Sequence, residues 1–231
     1  MRRLALGLLA VFASGLAKAE EVPWRWANPR PHGDSIRAIA KGDDFSIQVG
    51  ENGSIHTSQN LVQWFPRESD TDVTLRAVTF FKDLAIVAGD DGVLLHSGDE
   101  ESFAPAELNT ATSKAFRALA ASSRTIVAAG DDGTIYTSSD GRSWSKRSFR
   151  YNNNIHAVAW TGRYFVVVGE NGLVATSNNG SSWNKRQSRT TRDLNALAYV
   201  NKRLWAVGER GTVLLSYNDG FSWLAARSGT D

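Results

Sequence analysis

From Ser35 onward the apolar residues of this chain fall in short runs rich in Val, Ile, Phe and Tyr, separated by polar turns. No stretch keeps the three-to-four-residue step of an amphipathic helix, so the runs predict β-strands. Ser35–Ala40 is one such run, echoed by Leu75–Thr79, Phe116–Ala120, Ile155–Ala159 and Leu194–Tyr199. A polar turn such as Lys41-Gly42-Asp43-Asp44 leads into a second strand, clearest in Tyr164–Gly169. Its unbroken apolar run, Phe165–Val168, fits a strand buried on both faces. A Gly-acidic-x-Gly segment then forms a tight turn, whose glycines are read as positions of positive φ. The third strand is Gly133–Ser138 and its equivalents, and Asp140-Gly141-Arg142 turns the chain into a fourth carrying Ser143-Trp144.

These elements repeat. Gly50-Glu51-Asn52-Gly53 returns as Gly89–Gly92, Gly130–Gly133, Gly169–Gly172 and Gly208–Gly211, at steps of 39, 41, 39 and 39 residues. An aromatic residue keeps the same step at Trp64, Phe103, Trp144, Trp183 and Trp223. Two markers on one period define five units, about 35–69, 74–108, 115–150, 154–189 and 193–227. Four short antiparallel strands in about 40 residues make the blade of a β-propeller. The expected fold is therefore all-β, a propeller of five four-stranded blades within residues 20–231. Trp24 and Trp26 stand before Arg37 much as Trp64 stands before Arg76, so residues 20–34 read as an extra outer strand. Trp223 already supplies an outer strand for the fifth unit, so outer strands exceed inner triplets. The ring is expected to close incompletely or under strain between units one and five, leaving an open blade edge for self-association.

The turn before the fourth strand carries a family resemblance. Thr137–Trp144, Thr176–Trp183 and Ser216–Trp223 resemble the Asp-box, or bacterial neuraminidase repeat, S-x-D-x-G-x-[ST]-W. The Asp position is read as Ser139, Asn178 or Asn218, and the two N-terminal copies, Thr57–Trp64 and His96–Phe103, lack the glycine. The layout is similar to that of the photosystem II stability/assembly-factor-like family. That resemblance implies a scaffold or assembly role in which arginines on the propeller contact a partner protein. It also implies that the box is a structural turn, with Ser139 or Asn178 bonding turn amides and the Trp packed between blades.

Targeting and charge narrow the function. Met1-Arg2-Arg3, the apolar run Leu4–Phe12 and Ala17-Lys18-Ala19 have the order of a secretory signal, expected to span 1–19. The protein is thus expected to be exported, periplasmic or secreted, with no integral membrane segment after cleavage. The chain contains no Cys, so disulfides play no part in its stability. Without Arg2, Arg3 and Lys18 it holds 23 basic and 24 acidic residues, which removes the electrostatic warrant for nucleic-acid binding. The charges are polarised: residues 20–110 carry 7 basic and 16 acidic residues, and residues 111–231 carry 16 and 8.

Catalytic and cofactor signatures are missing. No P-loop and no G-x-S-x-G elbow occurs, and His32, His56, His96 and His156 lie too far apart for a metal-ligand set. His56 and His96 are read as equivalent third-strand positions. Asp90-Asp91 and Asp131-Asp132 lack the ligand count of a calcium site. An Asp-box invites a sialidase-like glycosidase, but no facing pair of carboxylates can be placed. A carbohydrate-binding propeller is the other alternative, with Trp160 and Trp24 or Trp26 as its exposed aromatics. No enzyme activity, cofactor or metal is expected. One constellation remains: Arg37, Arg76, Arg117, His156 and Asn195 open the innermost strand of the five units, each fourteen residues before a turn acid. Those acids are Glu51, Asp90, Asp131, Glu170 and Glu209. The ring would either fix blade to blade by ion pairs or receive acidic groups of a partner protein, since guanidinium grips carboxylates bidentately. Persistence of the acid where Arg is replaced by His156 or Asn195 suggests a local turn role for the acids and freer arginines.

Overall fold

A computed structural model describes residues 34–227 and Gly229. The signal segment expected at 1–19 lies outside these residues, as does all of the extra strand expected at 20–34 except Asp34. Five sheets follow one another along the chain. The first holds β1 (Ile36–Lys41), β2 (Ser46–Gly50), β3 (Ile55–Ser58) and β4 (Phe65–Arg67). The second holds β5 (Leu75–Phe81), β6 (Leu84–Gly89), β7 (Leu94–Ser97) and β8 (Ala104–Pro105). After β9 (Glu107–Leu108), the third comprises β10 (Phe116–Ala121), β11 (Ile126–Gly130), β12 (Ile135–Ser138) and β13 (Ser143–Arg147). The fourth comprises β14 (Ile155–Trp160), β15 (Phe165–Gly169), β16 (Val174–Ser177) and β17 (Asn184–Lys185). The fifth comprises β18 (Leu194–Val200), β19 (Arg203–Gly208), β20 (Val213–Ser216) and β21 (Leu224–Ala226). Each is an antiparallel meander; β9 adds in parallel to β13 and tacks the second-to-third connection onto the third sheet. The architecture is the β-propeller that the repeat implies.

Alternation along the second strand of each sheet builds the core. Val166 and Val168 of β15 face forward onto Leu204, Ala206 and Trp223 of the fifth sheet. Phe165 and Val167 face backward onto Val127 and Ala129 of the third. Every sheet thus has a leading face toward its successor and a trailing face toward its predecessor. Four apolar clusters result, one at each junction from first–second to fourth–fifth. No fifth cluster joins the fifth sheet to the first among the described residues. Among the described residues the ring is not closed, and Ile39 of β1 and Trp205 of β19 are 60% and 37% exposed.

The two glycines of the repeated turn serve different ends, which corrects the reading that both supply positive φ. Gly133 does so, at φ +66, but Gly130 has extended backbone. A Cβ on Gly130 would lie 1.8 Å from the carbonyl oxygen of Ala115, so the close approach of two backbones excludes any side chain. Between the glycines Asp131–Gly133 form a short 3-10 turn, and the third strand begins only at Ile135.

The Asp-box register also differs from the expectation. Asp140, not Ser139, accepts hydrogen bonds from the amides of Arg142 (2.8 Å) and Ser143 (2.9 Å). Asn179, not Asn178, does so for Ser181 and Ser182, and Asn218 does so for Ser222 as expected. The copies without glycine make the same turn: Asn60 accepts from Val62 and Gln63, and Asp99 from Glu101 and Ser102. An Asx acceptor two to four residues ahead of the amides suffices for the turn. The Trp is anchored separately, since Trp144 donates its indole N–H to the carbonyl of Gly141 at 3.1 Å. Trp144, Trp183 and Trp223 pack between neighbouring sheets.

Candidate functional site

The innermost hairpin of every sheet contains the same irregularity. Registers shift between Ile36 and Ala38, Leu75 and Ala77, Phe116 and Ala118, Ile155 and Ala157, and Leu194 and Ala196. The extra residues of these bulges are Arg37, Arg76, Arg117, His156 and Asn195. A bulge bends its strand and re-aims the unpaired side chain. Here the five side chains line one cavity of about 300 Å³. The structure therefore brings together all five positions selected from the sequence.

The arginines are not free. Arg76 holds Asp90 side-on through Nε and Nη2, the second contact at 2.7 Å. Arg117 grips Asp131 in the same way, with Nη2 at 3.3 Å, and Arg37 donates through Nη2 to Glu51. Every pair spans fourteen residues within one blade, so the alternative of blade-to-blade ion pairs is corrected as well. In the fourth blade Glu170 accepts instead from the amide and side chain of Asn154, the latter at 2.6 Å. His156 is the position that reaches across a junction, with Nδ1 3.2 Å from the carbonyl oxygen of Leu194 in the next blade. The hydrogen bond from Arg37 holds the Glu51 carboxyl below its ordinary pKa. Asp90 in turn raises that of Arg76.

A guanidinium has five N–H donors in a planar fork. The pairs use two of them on Arg76 and Arg117, leaving the rest of each fork for a further acceptor. The arginine side chains stay 31–47% exposed, which leaves that edge in solvent. Beside this cavity lies a second of about 620 Å³, lined by Asp72, Asp90, Asp91, Asp131, Asp132 and Lys114 among others. Lys114 bridges to Asp132 at 2.5 Å. Asp90 and Asp131 thus divide a basic centre from an acidic flank. The sequence signal for that flank was the doubled Asp of units two and three, which the regularity of the turn masked.

Other candidates fare differently. His56 is the second residue of β3 and His96 the third of β7, so they point to opposite faces and are not equivalent. Burial lowers the pKa of His96, and Arg142 adds to the shift. Trp160 packs in the third–fourth core with its ring 4.5 Å from that of Phe165, which removes it as an exposed sugar platform. Trp24 and Trp26 lie outside the described residues. Among the described residues no cluster of His, Asp and Glu could hold a metal ion, and no helix is long and apolar enough to cross a membrane.

No family model and no curated protein matches the sequence. Solved structures do. YCF48 bound to D1 peptide aligns at a TM-score of 0.68 and 19% identity, over 85% of this chain and 70% of that one. The WD40 propeller domain of Doa1 aligns at 0.64 and 13%, over 87% and 72%. An ancestral GH74 enzyme aligns at 0.69 and 14%, over 84% of this chain and 31% of the enzyme. At these identities the likeness establishes the propeller fold.

Proposed function

We infer that this chain is an exported protein-binding propeller that presents its arginine-lined mouth to acidic groups of a partner. The observation that carries the reading is the fivefold use of one bulge to aim Arg37, Arg76, Arg117, His156 and Asn195 into a single cavity. Each arginine is fixed by its own turn acid, so its donors are pre-oriented and little side-chain entropy is lost on binding. The acidic flank adds selectivity: a partner segment fits best with a carboxylate over the arginines and a basic residue over Asp91. The peptide bound by YCF48 is consistent with a role of this kind for the shared fold. Glu51, Asp90 and Asp131, the acids paired with the cavity arginines, are held by guanidinium partners rather than placed as an acid–base pair, so the reading is one of binding.

The test is calorimetric titration of residues 20–231 with a Glu-rich synthetic peptide, and with its Gln counterpart. Binding of the acidic peptide alone, weakened at least about tenfold by Arg37→Ala, Arg76→Ala and Arg117→Ala together, is expected for charge-assisted bidentate contacts. Equal binding by the folded triple variant would sink the proposal. The location is tested by N-terminal sequencing of protein recovered from the cell envelope, where a start at Glu20 is expected.

A further inference from the structure

Among the described residues, the large apolar side chains left more than one-third exposed all belong to the first or fifth blade. Those of the fifth are organised. On its leading face Ala198, Trp205, Leu215 and Leu224 form one cross-strand row, with Val207 and Val213 paired in the next. The fourth sheet has Ala159, Val166, Thr176 and Asn184 in the equivalent row. There Val166 is fully buried against the fifth sheet, whereas Trp205 and Val207 are 37% and 43% exposed. The fifth sheet thus carries an interior blade face that leaves Trp205, Val207 and Leu224 in solvent around a buried Leu215, more apolar than the fourth sheet's because Leu replaces Thr176 and Asn184. A contiguous apolar face of this kind marks an interaction site.

We propose that this face docks on the same face of a second copy of the chain, across a two-fold axis with the two β19 strands antiparallel. Head-to-tail docking on the first sheet fits poorly. The trailing side of β2 presents Ser46 and Gln48 where the other second strands have Ala, Val, Ile, Phe or Leu. Two five-sheet copies in one ring would also exceed the roughly four to eight blades that propellers hold. A face-to-face pair has neither defect, since both arcs extend away from the contact, and self-complementary contacts generate two-fold dimers. Charge fixes the direction. β19 begins at Arg203 and is followed by Glu209, and neither makes an ion pair among the described residues. Antiparallel stacking sets Arg203 of each copy against Glu209 of the other, about 20 Å apart at the two ends of the strand.

Sedimentation velocity of residues 20–231 across a dilution series tests this, with circular dichroism confirming that each variant is folded. The expected outcome is a monomer–dimer equilibrium whose dissociation constant rises at least about a hundredfold for Trp205→Glu, a central aromatic anchor. Ile39→Glu, at an exposed position of β1 on the otherwise buried trailing side of the first sheet, should leave it unchanged. Arg203→Glu and Glu209→Arg should each weaken the dimer, and the double variant should restore it. A wild-type monomer throughout overturns the proposal. So does a dimer weakened equally by Ile39→Glu, or one that the charge exchange fails to restore. The peptide titration of the mouth is independent of this result, because the arginine cavity and the fifth sheet's leading face share no residue.

Discussion

Arg117 and Asp131 meet across the innermost hairpin of the third blade because a bulge turns Arg117 toward the end of the strand beside it. The same fourteen-residue step joins Arg76 to Asp90 and Arg37 to Glu51. The motif is a local clasp, repeated by the chain rather than assembled across it.

Because the clasps are local and partly solvated, they should contribute little to stability. Side chains of Arg117 and Asp131 keep 33% and 26% of their exposure. Arg117→Ala should cost about 0.5–1 kcal/mol, within the range of solvated ion pairs. Urea unfolding measures this, and a loss several times larger would return the pairs to a scaffolding role.

Acid should weaken the protein through groups held by hydrogen bonds. The amides of Ser143 and Arg142 draw the Asp140 carboxyl below its ordinary value of 3.8. The folded value lies below the unfolded one, so the stabilisation is complete above pH ~4 and is lost as pH falls through the folded value. Asn179 and Asn218 make equivalent bonds without a titrating proton. Asp140→Asn should therefore resemble wild type at pH 7 and lose less of its urea midpoint between pH 7 and 3.

Two glycines provide a graded test of backbone approach. Gly130→Ala places a methyl 1.8 Å from the Ala115 oxygen, whereas Gly162, at φ +88, has nothing within 4 Å of its missing Cβ. The first should cost at least about 3 kcal/mol, as an overpacked interior does. Gly162→Ala should cost about 1–2 kcal/mol, the penalty of left-handed backbone alone. Thermal melts of the two variants should separate clearly.

Leu61 offers a gain. It occupies the box position filled by Gly141 in the third blade, at φ 60 and 50% exposed. Leu61→Gly removes a left-handed side chain at little loss of packing and should stabilise by about 0.5–1 kcal/mol. An unchanged or lower denaturation midpoint would show that Leu61 makes contacts worth more than its strain.

The repeat made the fold legible, since Gly130, Gly133 and Trp144 recur on one period with strands of fixed length between them. It also isolated Arg37, Arg76, Arg117, His156 and Asn195 as one constellation. The reason they converge was not legible, because a bulge leaves no compositional mark: Phe116, Arg117 and Ala118 look like ordinary strand. The box register lies one residue beyond the expected position in the third and fourth blades, as Ser139 and Asp140 are both polar and only the amide geometry separates them. The acidic flank and the leading face of the fifth sheet depend on which side of a strand is covered, and covering is decided by neighbours distant in sequence. Trp205 sits in the same alternation as Val166 yet meets solvent.

The box-turn glycines of the third, fourth and fifth blades each tie their blade to the one before it. A Cβ on Gly141 would lie 2.9 Å from Ile86, one on Gly180 2.9 Å from Val127, and one on Gly220 3.0 Å from Val166. An array coupled this way behaves like a row of dominoes rather than a hoop: among the described residues no core joins its two ends, and nearest-neighbour terms govern how far disorder travels inward. Amide exchange should therefore fray from the two outer blades and reach β11 of the third blade last. A closed ring has no such gradient, so the open seam gives this molecule an inside and an outside along its own sequence.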